Sequence, residues 1–550
     1  MQAIIECVPN FSEGRDPAII KQITDEIESV EGVRLLNVDP GKATNRTVVT
    51  MVGAPGAVVE AAFRAIRKAG ELIDMTKHKG EHPRMGATDV CPLIPVANIS
   101  MEETVKYARE LASRVGDELG IPVYLYENAQ LDKNRSNLSV IRAGEYEGFA
   151  KKIILPEWKP DYGPASFDER RGATVIGARD FLVAYNINLN TTSTRRANAI
   201  AFDVREAGRN IEENGIKINK PGTLKAVKAI GWYIEEYGIA QISINLTNLT
   251  ITPVHIAFDE VCRKAEARGV RVTGSELVGL IPLKAMLDAG KYFLRKQQRS
   301  VGISEKEIIK IAVKSLGLDE LTSFNPNERI IEYIMADASA NQLITKSLAD
   351  FADITASESQ APGGGSIAAY IGSLGVSLAA MVANLSAHKK GWDERWEEFS
   401  DWAEKAQALK AELLSLVDAD TAAFNGVMEA FALPKITEEE KKTRHTAIQV
   451  ATKNAMQVPF RVMKAAQSSM AIIKAIALAG NPNSASDAGV GALCARSAVI
   501  GAFMNVRINA PGCEDKEFVQ LMLVEGRRIE NSARLMEDEI LNIVDEKIAR

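Results

Sequence analysis

The chain has 550 residues, of which 46% are hydrophobic and 25% charged, a composition that is typical of globular proteins and excludes a mainly disordered one. Its 66 basic and 72 acidic residues give a net charge of −6, which excludes the overall positive field that favours nucleic acid or an anionic membrane. Five scattered cysteines without a CxxC pair argue against a disulfide framework and a zinc site. The N-terminal residues lack the pattern of a secretory signal, so we expect a cytoplasmic protein.

The first 180 residues follow a β-α-β-β-α-β order. A β-rich run from Ala3 to Val8 precedes Asp16 and Pro17, a pair that favours the start of a helix. Two β-rich runs, a helical segment and a last apolar run follow, at 33–38, 46–52, 59–70 and 90–96. This order predicts a split βαβ arrangement, in which an antiparallel sheet carries its helices on one face.

The same order recurs from residue 181. Strands are expected at 181–189, 227–234 and 240–246, with a helix after the first of them. Thr252 and Pro253 are expected to cap a second helix, which Gly269 ends. The two halves differ in sequence, so the architecture is repeated and the sequence is not.

The pattern changes near residue 325. Turn-forming residues surround Pro326, and beyond Asn341 the chain is rich in alanine, with long helical periodicities. Helices are expected at about 343–355, 365–387, 394–430 and 437–480, with two more after 485 and a kink at Pro459. The predicted fold class is thus two α/β subdomains of βαββαβ order, at 1–180 and 181–326, a linker at 327–340, and an all-helical bundle domain at 341–550.

Residues 367–387 carry no charge, and their length would permit a membrane span. A helix that is apolar all round is also expected at the centre of a helical bundle. We identify no comparable second stretch in the sequence, and we therefore favour a buried core helix without a membrane span.

The loop at 77–95 has the composition of a catalytic site. It contains two of the five histidines, His78 and His82, and histidine suits proton transfer at neutral pH. Lys77, Lys79 and Arg84 are reasonable partners for a carboxylate. A solvated loop with incidental histidines is the alternative, and a metal site is disfavoured because glycine and proline break the helix that an i,i+4 histidine pair needs.

Other candidate residues follow predicted strands. Asn10, Ser12 and Glu13 are plausible ligand contacts, although a helix-entry turn explains them equally well. Asp39 offers a carboxylate at the end of the next strand. The glycine-rich stretch at 161–179 would let the backbone approach a ligand, and an interdomain connector fits it equally well.

The helical region has one glycine-rich turn. Three glycines precede Ser366 in APGGGS at 361–366, and their N–H groups could bind a polar or anionic ligand. Asp418 and Asp420 occur inside an apolar helical stretch, where a carboxylate more often lies on the exposed face. The segment GNPNSASDAG at 480–489 is explained by a capped loop before the last helices.

These segments together resemble the bifunctional formiminotransferase-cyclodeaminase family. HKGEHPRMGATDVCP, VPNFSEGRD, TNRTV, YLYE, RAGEYE, GPASF with RGAT, and IGWYIEE resemble its transferase part. APGGGSIAAYIGSLG, DADTAAF and SASDAGVGA resemble its cyclodeaminase part. The resemblance runs from residue 2 to about 545.

The resemblance implies two reactions that end histidine degradation. The first part would move a formimino group between N-formimino-L-glutamate and tetrahydrofolate, and the helical part would close 5-formiminotetrahydrofolate to 5,10-methenyltetrahydrofolate with loss of ammonia. The family motif maps the transferase proton carrier to His82, with Asp39 a candidate to orient it. It maps the cyclodeaminase acid to Asp420, with Asp418 as the fallback.

The resemblance also implies where folate binds. The family's folate-binding segment maps to Gly163, Pro164, Ala165, Ser166, Phe167, Asp168, Glu169, Arg170, Arg171 and Gly172, and in the helical part to Gly363, Gly364, Gly365 and Ser366. Tetrahydrofolate would be a co-substrate, polyglutamylated and passed between sites, with no metal. A homo-oligomer is implied, and small molecules are the partners, without nucleic acid or a membrane span.

Two rival interpretations concern the helical domain. It could instead be a related methenyltetrahydrofolate cyclohydrolase, which would release no ammonia. It could also be a non-catalytic oligomerisation module whose alanine-rich faces pack subunits together. Release of ammonia by the helical domain would separate these interpretations.

Overall fold

The computed structural model describes residues 3–41, 45–80, 83–213, 216–335 and 342–549. The chain forms two compact units, residues 1–289 with 316–336, and residues 290–315 with 337–550. Residues 290–315 thus group with the helical part of the chain. The predicted domain limits stay predictions.

The first part of the N-terminal unit is built on one mixed sheet. Its elements are β1 (Ile4–Cys7), β2 (Asn10–Phe11), α1 (Pro17–Glu28), β3 (Val33–Gly41), β4 (Arg46–Gly53), α2 (Pro55–Leu72), β5 (Thr88–Ala97), α3 (Met101–Leu119), β6 (Val123–Glu127), α4 (Leu138–Ile141), α5 (Glu145–Lys152) and β7 (Thr174–Ala178). The strand order is β3-β4-β1/β2-β5-β7-β6, because β1 and β2 successively occupy the position between β4 and β5. The first four positions are antiparallel, as predicted, and β7 and β6 add two parallel strands.

The predicted start of the first helix is confirmed. Asp16 is the N-cap of α1, where its carboxylate accepts hydrogen bonds from Ala18 N and Ile19 N, and Pro17 occupies the first turn. Ile23 and Ile27 from this helix are buried against the sheet together with Phe63 of α2. The helices and the sheet therefore share one apolar core.

Residues 181–336 contain an antiparallel sheet, as predicted, and it has four strands. The elements here are β8 (Val183–Leu189), α6 (Thr194–Val204), β9 (Arg209–Glu213), β10 (Ile216–Lys220), β11 (Val227–Ile234), β12 (Ile239–Leu246), α7 (Val254–Glu266), β13 (Val272–Val278), α8 (Leu283–Lys296), α9 (Glu305–Leu316), α10 (Pro326–Arg329) and α11 (Ile331–Met335). The order is β11-β12-β8-β13, and β9 and β10 form a separate hairpin that the sequence did not predict.

The predicted cap of α7 differs in detail. Pro253 is the N-cap and makes no side-chain cap bond, while the Thr252 hydroxyl donates to the carbonyl of Lys225 at 2.7 Å. The fold brings Lys225 within reach and so gives that hydroxyl a partner outside the helix. Gly269 follows the helix with φ +70°, which fits its predicted role at the helix end.

The C-terminal part is all-helical, as predicted. Its helices are α12 (Leu348–Thr355), α13 (Gly364–Ala387), α14 (Trp396–Ala432), α15 (Glu438–Ala479), α16 (Ala485–Asn509) and α17 (Lys516–Ile548). Small side chains such as Ala379 and Ala495 are fully buried in its core, which lets the helices approach closely. Pro459 lies inside α15, whose helical assignment continues on both sides of it.

Helix α13 was predicted as a buried core helix. Gly364–Ala387 is long and apolar enough to cross a membrane, and 61% of its most apolar window is buried within the bundle. Within the described residues, Glu438–Ala479 and Pro482–Gly512 meet the same criteria of length and composition. The expectation that 367–387 has no comparable counterpart is therefore wrong, because alanine-rich core helices are apolar over long windows.

Candidate active sites

A cavity of about 950 Å³ opens between the two sheets of the N-terminal unit. Strands β2, β4, β5, β6 and β11 contribute to it, together with the segment that carries α4. Its charged lining residues, among those that the structure describes, are Arg46, Glu127, Arg142, Glu145, Arg179, Asp180 and Lys228. The cavity has the size of a small-molecule site and presents several cations to an anionic ligand.

Arg46 and Asn10 form one wall of this cavity. Nε and Nη2 of Arg46 donate to Oδ1 of Asn10 at 3.1 and 2.5 Å, while Asn10 Nδ2 donates to the carbonyl of Val8. Burial and the nearby charge of Arg142 lower the pKa of Arg46. The negative charge of Asp89 acts in the opposite direction and favours the charged guanidinium.

Arg142 is fixed from behind by a buried carboxylate. Its Nε donates to Asp89 Oδ1 at 3.2 Å, and its Nη2 bonds Asp89 Oδ2. Asp89 is fully buried on β5 and also accepts from the backbone N–H of Met85. This pair was not predicted from the sequence, although Arg142 begins the RAGEYE motif.

The opposite side of the cavity carries Arg179 and Asp180. Arg179 Nη1 donates to the carbonyl of Asp180 at 3.0 Å, and Tyr126 lines the cavity as well. Asp180 accepts a hydrogen bond from Nδ2 of Asn248 at 2.7 Å. This bond joins the segment after β7 to the loop after β12, so the cavity wall is built from both α/β subdomains. Tyr126 belongs to the YLYE motif and Arg179 ends the stretch at 161–179, but neither was given a role, and Asp180 and Asn248 were not predicted.

His82, the predicted proton carrier, lies outside the described residues. The next residue, Pro83, lines the cavity. His78 accepts a hydrogen bond at Nδ1 from Arg84 Nε at 3.2 Å, and its Nε2 lies 2.8 Å from the carbonyl oxygen of Asn45. Those partners assign His78 as a neutral ring protonated at Nε2, in agreement with the burial that lowers its pKa.

The three predicted carboxylate partners have different surroundings. Arg84 is buried and bonds Glu147 at 2.6 and 2.9 Å, so its guanidinium is already bound by a carboxylate of the chain. Lys77 pairs with Asp74 at 3.3 Å. Lys79 lines a second cavity of about 460 Å³ beside Arg84. Lys79 and Arg84 therefore both line a space that a ligand could enter, and Arg84 does so while paired with Glu147.

The other predicted strand-end residues are separated by the fold. Asp39 is exposed on β3 opposite Val48 and is not among the described residues that line the large cavity. Ser12 is buried and donates to the carbonyl of Gly86 at 2.7 Å, and Glu13 accepts from the N–H groups of Arg15 and Asp16. Of this group, only Asn10 lines the cavity.

The predicted folate segment at 163–172 packs beside the histidine loop. Gly172, at φ +70°, pairs with Gly86, and a Cβ on Gly172 would lie 2.2 Å from the carbonyl oxygen of Met85. Phe167 packs on Tyr146 with ring centroids 5.5 Å apart. The 163–172 segment lines neither described cavity, although residues before and within α5 line both.

Other members of this segment have structural contacts. Asp168 accepts from Arg170 N and Arg171 N, and Arg171 Nε donates to it at 2.6 Å. A Cβ on Gly163 would lie 2.4 Å from the carbonyl oxygen of Ile121, so this glycine admits close packing. Pro164, Ala165, Ser166 and Glu169 are exposed. The exposed stretch is the part that remains open to a ligand.

In the helical unit the structure brings Asp420 to the glycine-rich turn. Ser366, in the first turn of α13, donates from Oγ to Asp420 Oδ2 at 3.1 Å, and its hydroxyl also bonds Val417 O at 2.9 Å. Burial raises the pKa of Asp420, against the opposing effect of its hydrogen bonds from Ser366. This is the condition under which a carboxylic acid keeps a proton to donate.

Asp418 faces a different part of the bundle. Its Oδ1 accepts a 2.6 Å hydrogen bond from the backbone N–H of Leu343. Near the glycines, Asn505 of α16 approaches Gly364: a Cβ on that glycine would lie 3.3 Å from Asn505 Nδ2. Asn505 was not predicted from the sequence. In the 480–489 segment, Asn481 caps a short turn, as expected.

The described residues, which do not include 81 and 82, contain no set of side chains suited to bind a metal ion. No three His, Cys, Asp or Glu side chains cluster there as metal ligands.

Comparison with known proteins covers most of the chain. Residues 4–179 match the N-terminal subdomain of the formiminotransferase domain, 184–336 the formiminotransferase domain, and 347–528 the model named formiminotransferase-cyclodeaminase. The formimidoyltransferase-cyclodeaminase of Gallus gallus is 46% identical over 94% of each chain, and that of Dictyostelium discoideum is 41% identical over 100% of each chain. A methenyltetrahydrofolate cyclohydrolase from Methylorubrum extorquens is 35% identical, covering 36% of this chain and 95% of its own.

The family models follow one another in the order of the two α/β subdomains and the bundle, and the whole-length relatives exceed 40% identity. The chain therefore belongs to the formimidoyltransferase-cyclodeaminase family and is a bifunctional enzyme that combines a glutamate formimidoyltransferase with a formimidoyltetrahydrofolate cyclodeaminase.

Proposed function

We propose that the large cavity of the N-terminal unit is the transferase site. The observation that carries this proposal is the cationic lining by Arg46, Arg142 and Arg179 beside the loop that contains His82. Both substrates are anionic, because N-formimino-L-glutamate has two carboxylates and tetrahydrofolate carries a glutamate tail. Arg46 and Arg142 bind the carboxylates of the glutamate substrate, and Lys228 is placed for the folate tail.

The transfer needs one group that moves a proton between two nitrogens. N5 of tetrahydrofolate attacks the formimino carbon and forms a tetrahedral intermediate. His82 takes the proton from N5 and returns one to the leaving nitrogen of glutamate as the carbon–nitrogen bond breaks. His78 holds Arg84 and Asn45 in place and does not take part, which the two partners of its ring support.

The histidine pair provides the test of this proposal. His82→Ala should lower transferase turnover by about 100-fold or more, the contribution typical of a general acid–base group. His78→Ala is the matched control and should keep most of the turnover. Cyclodeaminase activity, measured as ammonia release from 5-formiminotetrahydrofolate, should persist in both. Wild-type transfer by His82→Ala would overturn the proposed role.

In the bundle, Asp420 is proposed as the acid of the cyclodeaminase. N10 of the folate attacks the formimino carbon of 5-formiminotetrahydrofolate, and Asp420 protonates the amine that leaves as ammonia. The carboxylate then accepts the proton that N10 loses as 5,10-methenyltetrahydrofolate forms. Its burial, its raised pKa and its contact with Ser366 support this role. The turn at Gly363–Ser366 is proposed to contact folate.

The cyclohydrolase remains the second candidate for the bundle because one relative of this region has that name. The two reactions differ in their products. The intact protein should release ammonia from 5-formiminotetrahydrofolate at the rate at which methenyl absorbance appears. Hydrolysis of 5,10-methenyltetrahydrofolate without any ammonia release from the formimino compound would favour the cyclohydrolase.

We also propose that the bundle self-associates and does not span a membrane. Helix α13 presents an apolar stripe formed by Ile367, Ile371, Leu374, Leu378, Met381 and Leu385. Leu374 and Leu385 are 45% and 49% exposed, while Val376 on the opposite face is fully buried. Insertion of this helix into a membrane would expose that core face, whereas a second copy covers the stripe without unpacking the bundle.

The oligomer has a direct test. Leu374→Lys with Leu385→Lys should reduce the mass of the protein in light scattering, while Lys389→Leu, beyond the end of the stripe, should not. Flotation with phospholipid vesicles is the second measurement. An unchanged mass, or flotation of the wild-type protein, would contradict self-association through α13.

Three finer proposals concern the cellular setting. The enzyme acts in histidine degradation. It takes polyglutamylated folate, and the several cations that line the transferase cavity support this choice of an anionic substrate. It works in the cytoplasm, which the five scattered cysteines without a CxxC pair support. Cell fractionation and a comparison of KM between monoglutamyl and polyglutamyl tetrahydrofolate test these proposals.

A further inference from the structure

Lys152, at the end of α5, binds three carbonyl oxygens of one short segment. Its Nζ donates to the carbonyls of Val140, Ile141 and Ala143 at 3.1, 2.7 and 3.0 Å. All three belong to the end of α4 and the turn that follows it. An ammonium has three donors, so this contact uses its full hydrogen-bonding capacity on one piece of backbone.

The bound segment has little secondary structure of its own. Residues 137–145 contain a four-residue helix and a turn at Gly144 with φ +90°, elements too short to be stable by themselves. Seven of these nine residues line the cavity, including Arg142. The turn that Lys152 binds therefore directly flanks the guanidinium proposed to hold the substrate.

The position of Lys152 is itself well defined. Its Nζ lies 3.7 Å from the centroid of the Trp158 ring, and Tyr124 Oη donates to the Trp158 carbonyl at 2.5 Å. Tyr124 is a buried residue of β6, so this contact connects the lysine to the sheet. Burial lowers the pKa of Lys152 to about 8, and the ammonium form remains the main one at neutral pH.

We propose that Lys152 is a positioning residue of the transferase: it fixes residues 137–145 on the sheet and so holds Arg142 towards the substrate. The inference rests on the proposed assignment of the large cavity to the transferase. Arg142 has a second anchor, Asp89, on the other side of its guanidinium. The lysine fixes the backbone of the arginine, and the aspartate fixes its side chain.

The test compares Lys152→Met with Lys151→Met in the full-length protein. Lys151 is the exposed neighbour on α5, so its variant removes the same charge without touching the carbonyls. Lys152→Met should raise the transferase KM for N-formimino-L-glutamate about tenfold, equivalent to about 1.4 kcal/mol. The kcat should fall much less, because the proton carrier lies outside the segment. Lys151→Met should leave the transferase KM unchanged, and both variants should keep the cyclodeaminase activity of the wild type.

Amide hydrogen exchange separates the possible failures. Faster exchange confined to residues 138–145 in Lys152→Met, together with the higher KM, supports the proposal. Unchanged exchange with an unchanged KM would overturn the role of Lys152. Faster exchange with an unchanged KM would overturn the inference, because Asp89 alone would then be enough to hold Arg142, and the cavity assignment would still stand. A fall in kcat together with faster amide exchange throughout β5–β7 would show that Lys152 has a general structural role, and this result would also overturn the proposal.

Discussion

Gly365 and Asp420 approach each other so closely that a larger residue at position 365 would displace the Asp420 carboxylate. A Cβ on residue 365 would lie 2.1 Å from Oδ1 and 2.5 Å from Cγ of the Asp420 side chain. The next residue, Ser366, donates a hydrogen bond to the same carboxylate. The glycine-rich turn thus has a role besides any contact with folate, because it gives a half-buried carboxylate room at the start of α13.

Gly365→Ala should therefore damage the cyclodeaminase selectively. The new methyl group displaces the Asp420 carboxylate, and a displacement of about 1 Å at a catalytic group lowers the rate by about 100-fold. Gly426→Ala is the matched control, since this glycine lies on the same helix as Asp420 and nothing lies within 4 Å of a Cβ there. Ammonia release and formimino transfer are the two measurements. If both variants released ammonia at the same rate, the close approach of Gly365 to Asp420 would not matter for catalysis.

The element order of this protein follows from local patterns. Asp16 and Pro17 mark a real helix start, and β11 occupies the predicted 227–234 because its side chains alternate between buried and exposed positions along much of the strand. The bundle helices begin and end close to the predicted residues, since Pro434 and Pro482 interrupt the helical periodicity. Such signals need no knowledge of distant contacts.

The cavity depends on contacts that no local pattern contains. Arg142 and Asp89 are 53 positions apart, and they meet because the fold brings the residue after α4 to the side chain on β5. Strands β6 and β7 were also not predicted, since short parallel strands buried on both faces resemble any apolar run. Their pairing places Arg179 and Asp180 at the cavity.

Asp420→Asn should stop ammonia release while Asp418→Asn stays close to the wild type. Removal of a general acid typically lowers turnover by about 100- to 10,000-fold. Burial holds the folded-state pKa of Asp420 above the ordinary aspartate value of 3.8. Ionisation of this group therefore lowers the free energy of unfolding as pH rises from 3.8 to the folded-state pKa. Asp420→Asn should therefore unfold at no lower temperature than the wild type at pH 7. An active Asp420→Asn and an inactive Asp418→Asn would move the role to Asp418.

Arg142→Met should raise the transferase KM. The same substitution also affects stability, because Arg142 is the partner of the buried Asp89. Loss of the guanidinium removes a charge-assisted contact to substrate worth about 1.5–3 kcal/mol, or at least about tenfold in KM. It also leaves the Asp89 carboxylate buried without its partner, which destabilises the fold by about 3–5 kcal/mol.

The double variant Arg142→Met with Asp89→Asn separates these effects. The neutral amide oxygen still accepts from Met85 N, so the melting temperature should recover while the KM stays high. Thermal unfolding and transferase kinetics on both variants provide the measurement. A KM that returns to the wild-type value in the double variant would show that Arg142 does not contact substrate.

Glu6→Gln should stabilise the protein near and above neutral pH. Glu6 is buried on β1, and burial raises its pKa from 4.5 to about 7 in spite of the opposing charge of Arg179. A raised carboxylate pKa means that the folded state binds the proton more tightly than the unfolded state does. The penalty therefore develops as pH rises from 4.5 to about 7 and is complete above it, where it is on the order of 3 kcal/mol.

The neutral amide that replaces the Glu6 carboxylate avoids this penalty, in which the attraction to Arg179 is already included. We expect the melting temperatures of wild type and Glu6→Gln to be similar near pH 5 and to diverge in favour of the variant by pH 8. Glu13→Gln, at a position outside the buried core, is the control and should show no such divergence. The opposite result would be a melting temperature of Glu6→Gln that falls below that of the wild type as pH rises from 5 to 8. It would show that Glu6 is ionised in the folded state and stabilised by Arg179.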